Sequence, residues 1–346
     1  MKAIVWQGPE RMEIEELPDP GDPGAGELIV RPQAVGICGS EVEGYLGHMG
    51  NRTPPLVMGH EFAGVVVAAG ADAAALEGAR VAVNPLSGCG HCRLCRSGHA
   101  NLCLDRKLIG VHSDGAFADA VRAPAASART LPDDVSARTG ALVEPLSNGV
   151  HAVRLGLGLA RGPVERAVVL GAGTIGLVTL QAALLAGIEH VALLEPQPER
   201  RERAATLGAH ATYGSEEEAL EAERAATGGL GADLVLDAVG AQATRALALG
   251  VLRPGGQAVY VGLAADDTTL GFHDIVRSQL TLQGSYAYTM DDFEQAFEWL
   301  VSGQASLGEL AEVRPLDDGP GAFAALAGGP PPAEVKVFLA GAGREV

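Results

Sequence analysis

The stretch Val168-Val169-Leu170-Gly171-Ala172-Gly173-Thr174-Ile175-Gly176 decides the fold of this chain. Its three leading apolar residues read as a buried strand. They run into G-x-G-x-x-G, and Thr174 opens an apolar helix to Ala186 that Gly187 stops. In a chain with 47 glycines the motif alone carries little weight. Its place between a strand and a helix is what gives it meaning. The glycines permit a tight turn and let a pyrophosphate approach the helix N-terminus, where free N–H groups and the helix dipole favour an anion. Gly171, Gly173, Thr174, Ile175 and Gly176 are therefore read as cofactor-binding.

Beyond this stretch the rhythm repeats. Val191-Ala192-Leu193-Leu194 is a strand, Pro198 to Leu207 a charged helix, and Ala211-Thr212-Tyr213, Leu234-Val235-Leu236, Gln257 to Val261 and Leu280 to Gly284 are further strands. Strand–helix alternation implies a parallel, doubly wound α/β sheet. Glu195 ends the second strand, 24 positions after Gly171. A carboxylate there accepts hydrogen bonds from ribose hydroxyls and repels a 2′-phosphate, which favours NAD over NADP. Arg200 complicates this reading, since arginine can hold the extra phosphate. Val261 and Gly262 complete the expected cofactor set.

Before this region the pattern is different. From Met1 to about Ser147, short strands are broken by Gly and Pro: Leu28-Ile29-Val30 and Val65-Val66-Val67 are apolar strand cores, and Ala79 to Val83 alternates like a half-buried strand. This part reads as an irregular β-barrel-like domain. The tail holds an amphipathic helix (Asp291 to Ser302), a Gly/Pro loop and a final strand, Val335 to Phe338. The expected division is 1–147, 148–287 and 288–346.

Cys89, Cys92, Cys95 and Cys103 are spaced C-x2-C-x2-C-x7-C, in a lobe at about 86–105. Four thiolates at this spacing can close a tetrahedron around zinc, leaving no position for a substrate, so the site is structural. An iron–sulfur cluster is the main rival. Its common bacterial run has a shorter last gap and a proline after the final cysteine, whereas Leu104 follows here. One cysteine remains, Cys38, in Gly36-Ile37-Cys38-Gly39-Ser40-Glu41. Gly59-His60-Glu61 and Val143-Glu144-Pro145 follow later. Cys, His and Glu are competent zinc ligands, and a mixed set with one open position is how catalytic zinc is held. Each piece alone is weak, because a lone cysteine is usually a small buried hydrophobe.

Gly59-His60-Glu61, the cysteine lobe, Glu144-Pro145-Leu146 and the dinucleotide motif occur in one order. That order resembles the zinc-containing medium-chain alcohol dehydrogenases, particularly the sorbitol/polyol and threonine dehydrogenase branch, over essentially the whole chain. The resemblance implies a GroES-like β-barrel catalytic domain, to which the tail returns, and a Rossmann domain. It implies two zincs per chain and a homodimer or homotetramer. Cys38, His60 and Glu144 would hold the catalytic zinc, with Glu61 in or just outside the first coordination shell. Glu41 stands where the family usually has Asp, which orients the liganding His. An Arg at the spacing of Arg200 also occurs in the family's NAD enzymes.

The mechanism implied is oxidation of a secondary alcohol or polyol to a ketone, with zinc as Lewis acid and NAD as hydride acceptor. Ser40 would take the hydroxyl proton and pass it towards the ribose. Relatives often carry a His five residues after the ligand Cys; here that residue is Glu43, and His48 is read as a surface residue. The Arg-Tyr pair of polyol dehydrogenases is Ala287-Tyr288, and their pocket Tyr is Gly44, with Tyr45 one step later. Tyr45 and Tyr288 are therefore candidates for lining the substrate pocket.

Composition narrows the class further. The 346 residues exceed what one core usually supports. A net charge of −18 repels nucleic acid and anionic membrane, so neither is an expected partner. Met1 to Trp6 runs into a strand pattern with no signal-peptide core, and no apolar run is long enough to span a bilayer. The expected location is cytoplasmic, where cysteines point to metal before disulfides. A zinc-free quinone or enoyl reductase of the same superfamily would lack both cysteine-containing sets. A non-catalytic NAD- or zinc-binding module is opposed by the intact second set.

Overall fold

The computed structural model describes residues 1–307, 311–329 and 335–341. Two compact units result: Met1–Glu144 with Thr289–Val346, and Pro145–Tyr288. The Gly/Pro loop expected before the last strand lies, at residues 330–334, outside the described residues.

The first unit is built on antiparallel β-structure. Its central pairing joins the strand Glu27–Gly36 to the strand Glu61–Ala69. Pro32 interrupts the first of these where the register shifts between Pro32 and Ala34, as a residue without an N–H must. On its other side Glu27–Gly36 meets the last strand, Lys336–Ala340, antiparallel. Gly36 is thereby flanked by Glu61 on one strand and Phe338 on the other. The core packs Ile4, Trp6, Val30, Phe62, Phe117 and Phe323 together, with Phe117 edge-on to Phe323 at 5.6 Å between centroids. Burying such apolar surface is the main favourable term in folding.

Among the helices of this unit that were not expected, two bear on the site and the core. Gly39–Tyr45 begins directly after Cys38, which takes the N-cap position. Gly319–Gly328 forms although its sequence, GPGAFAALAG, is rich in Gly and Pro. Pro320 sits in its first turn, where a missing N–H costs nothing, and Phe323 is fully buried. The amphipathic helix of the tail runs Met290–Val301, capped by Thr289, which accepts from the Asp292 N–H.

The second unit is a six-stranded parallel sheet in the order Ala211–Tyr213, His190–Leu194, Arg166–Leu170, Ala232–Asp237, Leu252–Tyr260, Thr281–Gly284. Numbered along the chain, this is 3-2-1-4-5-6, the doubly wound order whose switch point lies between the first and fourth strands. The strand interiors are apolar on both faces, as a sheet covered by helices requires: Ala167 to Leu170 and Val191 to Leu193 are fully buried. The apolar helix of the opening stretch runs Thr174–Leu185. Among the described residues no helix is long and apolar enough to cross a membrane.

Candidate metal and nucleotide sites

Strand register builds the first site. Because Gly36 pairs with Glu61, Cys38 and His60 come to lie beside each other at the end of the same strand pair. Cys38 Sγ, a His60 ring nitrogen and a Glu61 carboxylate oxygen all fall within 4.8 Å of one another. Glu41 holds this arrangement. It is fully buried, and its Oε2 accepts from the Cys38 N–H at 3.0 Å, which caps the helix Gly39–Tyr45. Its Oε1 lies 2.8 Å from the Gly59 N–H and 2.8 Å from His60 Nδ1. The longer side chain therefore reaches the histidine, and it leaves the other ring nitrogen for a metal.

Burial opposes charge on His60, yet Glu41 and Cys38 raise its pKa well above the ordinary imidazole value. An anionic field of this kind, on a buried S/N/O donor set, is matched by a divalent cation such as zinc. Glu61 forms an ion pair with Lys336, whose Nζ also donates to the Ile37 carbonyl at 3.0 Å. Both side chains are almost wholly buried. Gly36 makes room for them: a Cβ there would lie 2.3 Å from Glu61 Oε2 and 2.6 Å from Lys336 Cε. Lys336 has no spacing signal in sequence; a lone cation in an apolar strand was its only mark.

Glu144 is buried in the first turn of the helix Val143–Leu159. Ser40 Oγ lies 3.4 Å from Cys38 Sγ and accepts from Arg52 Nη2 at 3.4 Å. Glu43, next along the helix, pairs with His48: Oε2 and Nδ1 are 2.8 Å apart. The expected pocket role of Tyr45 is corrected. Its ring packs against Phe323, 5.8 Å between centroids, and its hydroxyl donates to the Glu10 carbonyl, so it serves the core. Tyr288 is fully buried.

The cysteine lobe is a second candidate metal site. Cys89, Cys92, Cys95 and Cys103 are free thiols whose sulfurs all lie within 4.8 Å of one another. Cys89 and Cys95 are 4.0 Å apart and Cys92 and Cys103 3.8 Å. Tetrahedral zinc with arms of about 2.3 Å requires sulfurs about 3.8 Å apart, so the cage fits. Backbone hydrogen bonds from the turn hold Cys89 down at about 6, while burial pushes Cys95 up to about 12. Four such thiols can ionise together only around a cation. Gly88 clears the cage, since a Cβ there would sit 2.6 Å from Cys95 Sγ. His91 and His99 are occupied outside it, with Cys89 O and Ser97 Oγ respectively.

In the second unit Gly171 has φ of 93°, and a Cβ on Gly176 would lie 1.8 Å from the Gly171 carbonyl. Only glycine fits where the helix closes on the turn. Gly173 is the helix N-cap. Glu195 is buried at the end of its strand; Oε2 accepts from the Ala172 N–H and Oε1 from the Gln197 N–H, each at 3.0 Å. Burial lowers the pKa of Arg200, and the nearby Glu195 works against that. The N–H groups of Val261 and Gly262 both reach the Asp237 carbonyl, at 2.9 and 3.0 Å, which sets them beside the switch point at the carboxyl ends of the strands.

A GroES-like barrel carrying Cys38, His60 and Glu61, with a doubly wound nucleotide-binding sheet, defines a class of dehydrogenase. The comparisons agree. Residues 24–133 match the family model "Alcohol dehydrogenase GroES-like domain", and residues 174–302 match "Zinc-binding dehydrogenase". L-galactonate-5-dehydrogenase of Escherichia coli (strain K12) is 33% identical, covering 88% of each chain. Sorbitol dehydrogenase of Bacillus subtilis (strain 168) is 33% identical, covering 88% of this chain and 86% of that one. The crystal structure of galactitol-1-phosphate dehydrogenase from Escherichia coli superposes with a TM-score of 0.88 at 29% identity, over 98% of this chain and 100% of that one. The chain belongs to the zinc-containing medium-chain alcohol dehydrogenase family. Its activity is oxidation of an alcohol to a ketone with a nicotinamide cofactor.

Proposed function

We propose that the protein is a zinc-dependent, NAD-preferring polyol dehydrogenase that converts a secondary hydroxyl to a ketone. The observation that carries this reading is the convergence of Cys38, His60 and Glu61 within 4.8 Å, beside the hydroxyl of Ser40. Cys38, His60 and Glu144 would hold the catalytic zinc, and the four lobe cysteines a structural one. When bound, the catalytic zinc polarises the substrate hydroxyl and NAD accepts the hydride.

The chain's own residues do the rest. Glu41 fixes the tautomer and direction of the His60 ring through Nδ1. Lys336 neutralises Glu61, so that a buried carboxylate can sit against the ligand set without leaving an unpaired charge. Ser40 Oγ receives the proton of the substrate hydroxyl while releasing its own towards the ribose. Glu43, hydrogen-bonded to His48 and partly exposed, is a route for that proton to solvent. The carboxylate of Glu195, braced by two backbone N–H groups, supports discrimination against a 2′-phosphate. The test is NADH formation by the zinc-loaded enzyme across polyols, sugar alcohols, diols and amino alcohols. Turnover confined to amino alcohols, or absent with every alcohol, would overturn the polyol reading.

A further inference from the structure

Arg52 lies in the loop between the helix Gly39–Tyr45 and the strand Leu56–Val57, and it is only 7% exposed. Its Nη1 donates to Asn51 Oδ1 at 3.2 Å and its Nη2 to Ser40 Oγ at 3.4 Å. Nε is enclosed and has no hydrogen-bond partner. Among the described residues no carboxylate lies within salt-bridge distance of this guanidinium. Glu41 feels its charge, but the Glu41 oxygens already serve the Cys38 and Gly59 N–H groups and His60. A buried cation with no carboxylate in contact is costly, and an anion arriving from outside would offset that cost.

Gly44 leaves room for the Arg52 side chain beside Ser40. The guanidinium lies over Gly44, where a Cβ would meet Arg52 Cδ at 2.9 Å and Nε at 3.1 Å. Any larger residue at position 44 would push the side chain away. One hydrogen bond separates Arg52 from Ser40, and Ser40 is the group that meets the reacting hydroxyl in the function proposed above.

We infer that Arg52 recognises an anionic group carried by the substrate, making the protein's alcohol a polyol acid, with a carboxylate a few carbons from the hydroxyl that is oxidised. This rests on the polyol dehydrogenase reading and refines it. A single guanidinium suits a planar, singly charged carboxylate through charge-assisted hydrogen bonds, and with Nε packed on Gly44 those bonds fall to its Nη groups, on the side of Ser40. A phosphate ester of a polyol offers the same acceptor chemistry with more charge, so the test separates the two sources.

The experiment uses the zinc-loaded enzyme with NAD and three matched sets: aldonates such as gluconate and galactonate, the neutral alditols glucitol and galactitol, and glucitol 6-phosphate. The readout is the ratio of kcat/KM between charged and neutral members, for the native chain, Arg52→Met and Arg52→Lys. A ratio does not move when a variant merely loses active protein. Calorimetric titration of the aldonate into the enzyme gives binding without turnover, and NADH titration reports the cofactor separately. The native enzyme should favour an aldonate over its alditol, and Arg52→Met should lower that ratio by about 10- to 100-fold, the usual worth of a charged hydrogen bond. Arg52→Lys should fall between. Preference for the phosphate ester, lost in Arg52→Met, supports the anion site and assigns it to phosphate. A native preference for the neutral alditol overturns the inference and leaves the polyol reading standing. A ratio unmoved in Arg52→Met overturns it too, and weakened NADH binding in that variant would reassign Arg52 to the cofactor. Failure of acids, esters and alditols alike to bind or react would remove the polyol reading itself.

Discussion

At the scale of single residues, the proton path depends on one hydroxyl in a crowded place. Ser40 Oγ sits 3.4 Å from Cys38 Sγ and 3.4 Å from Arg52 Nη2. If it carries the substrate proton, Ser40→Ala should lower kcat by about 10²–10⁴-fold, the range of general acid–base groups, with little change in melting temperature. Glu43→Gln should do less. Glu43 is nearly half exposed and its partner His48 more so, so solvent can replace them. A kcat near native in Ser40→Ala, with lost stability, would make the residue only a tie for the loop. A collapse in Glu43→Gln as deep as in Ser40→Ala would instead make Glu43 an essential base. The cofactor preference is equally local. Glu195 braces the turn through Ala172 and Gln197, so Glu195→Ala should weaken binding of both nucleotides. What tests its selectivity is the ratio of kcat/KM for NAD over NADP, which should fall towards or below one. An unchanged ratio would leave Arg200 and the rest of the turn in charge of the choice.

At the scale of elements, the second unit contains a buried polar knot that is independent of catalysis. Glu223, on the helix Glu216–Ala226, accepts from Arg166 Nε at 3.0 Å and Nη2 at 3.2 Å, and from the Tyr213 hydroxyl at 2.7 Å. It thus fastens that helix to two strands. Glu223→Ala leaves a cation and a hydroxyl without their acceptor and should cost about 3 kcal/mol, the low end for a broken buried pair, because Arg166 is 21% exposed. Chemical denaturation measures this, and a loss within about 0.5 kcal/mol, the range of ordinary surface changes, would show the knot to be ornamental. The same scale shows what was legible in the sequence. The parallel sheet was, because its inner strands are apolar runs buried on both faces that alternate with helices. The two clusters, Cys38 with His60 and Glu61, and the four lobe cysteines, were, because spacing and order mark them. The helix Gly319–Gly328 was not, since Gly and Pro signal loops and its helix forms on tertiary packing of Phe323. Nor was Gly39–Tyr45, at seven residues too short to show a period. Arg52 and Lys336 escaped for another reason: each is a lone cation, and only a loop closure or a strand pairing brings it to the site. Tyr45 was misread because an aromatic beside a ligand motif looks the same in sequence whether it faces substrate or core.

At the scale of the whole molecule, the two ligand sets share no residue and should have separate consequences when emptied. The lobe sulfurs already stand 3.8 to 4.0 Å apart in two of their pairs, and such a cage contributes its metal-binding energy to folding. The set at Cys38 is instead supported without metal by Glu41, which ties the Gly39–Tyr45 cap to His60, and by the Lys336–Glu61 pair. Metal analysis of the native protein should therefore give two zincs per chain. Cys95→Ser should drop the count to one and lower the melting temperature markedly, with activity lost in proportion to unfolded protein. Cys38→Ser should also drop the count to one, abolish turnover and leave the melting temperature near native. A mild chelator separates them again, because a catalytic site keeps an open position for exchange and a closed four-sulfur site does not. Activity should disappear before any change in melting temperature, and added zinc should restore it. One zinc in the native protein would remove one of the two assignments, and the variant that leaves the count unchanged would identify which. If Cys38→Ser unfolds the chain as readily as Cys95→Ser, the hydrogen bonds of Glu41 do not suffice to hold the site. The catalytic metal would then be part of the fold of the first unit, and zinc removal would be expected to abolish activity and structure together.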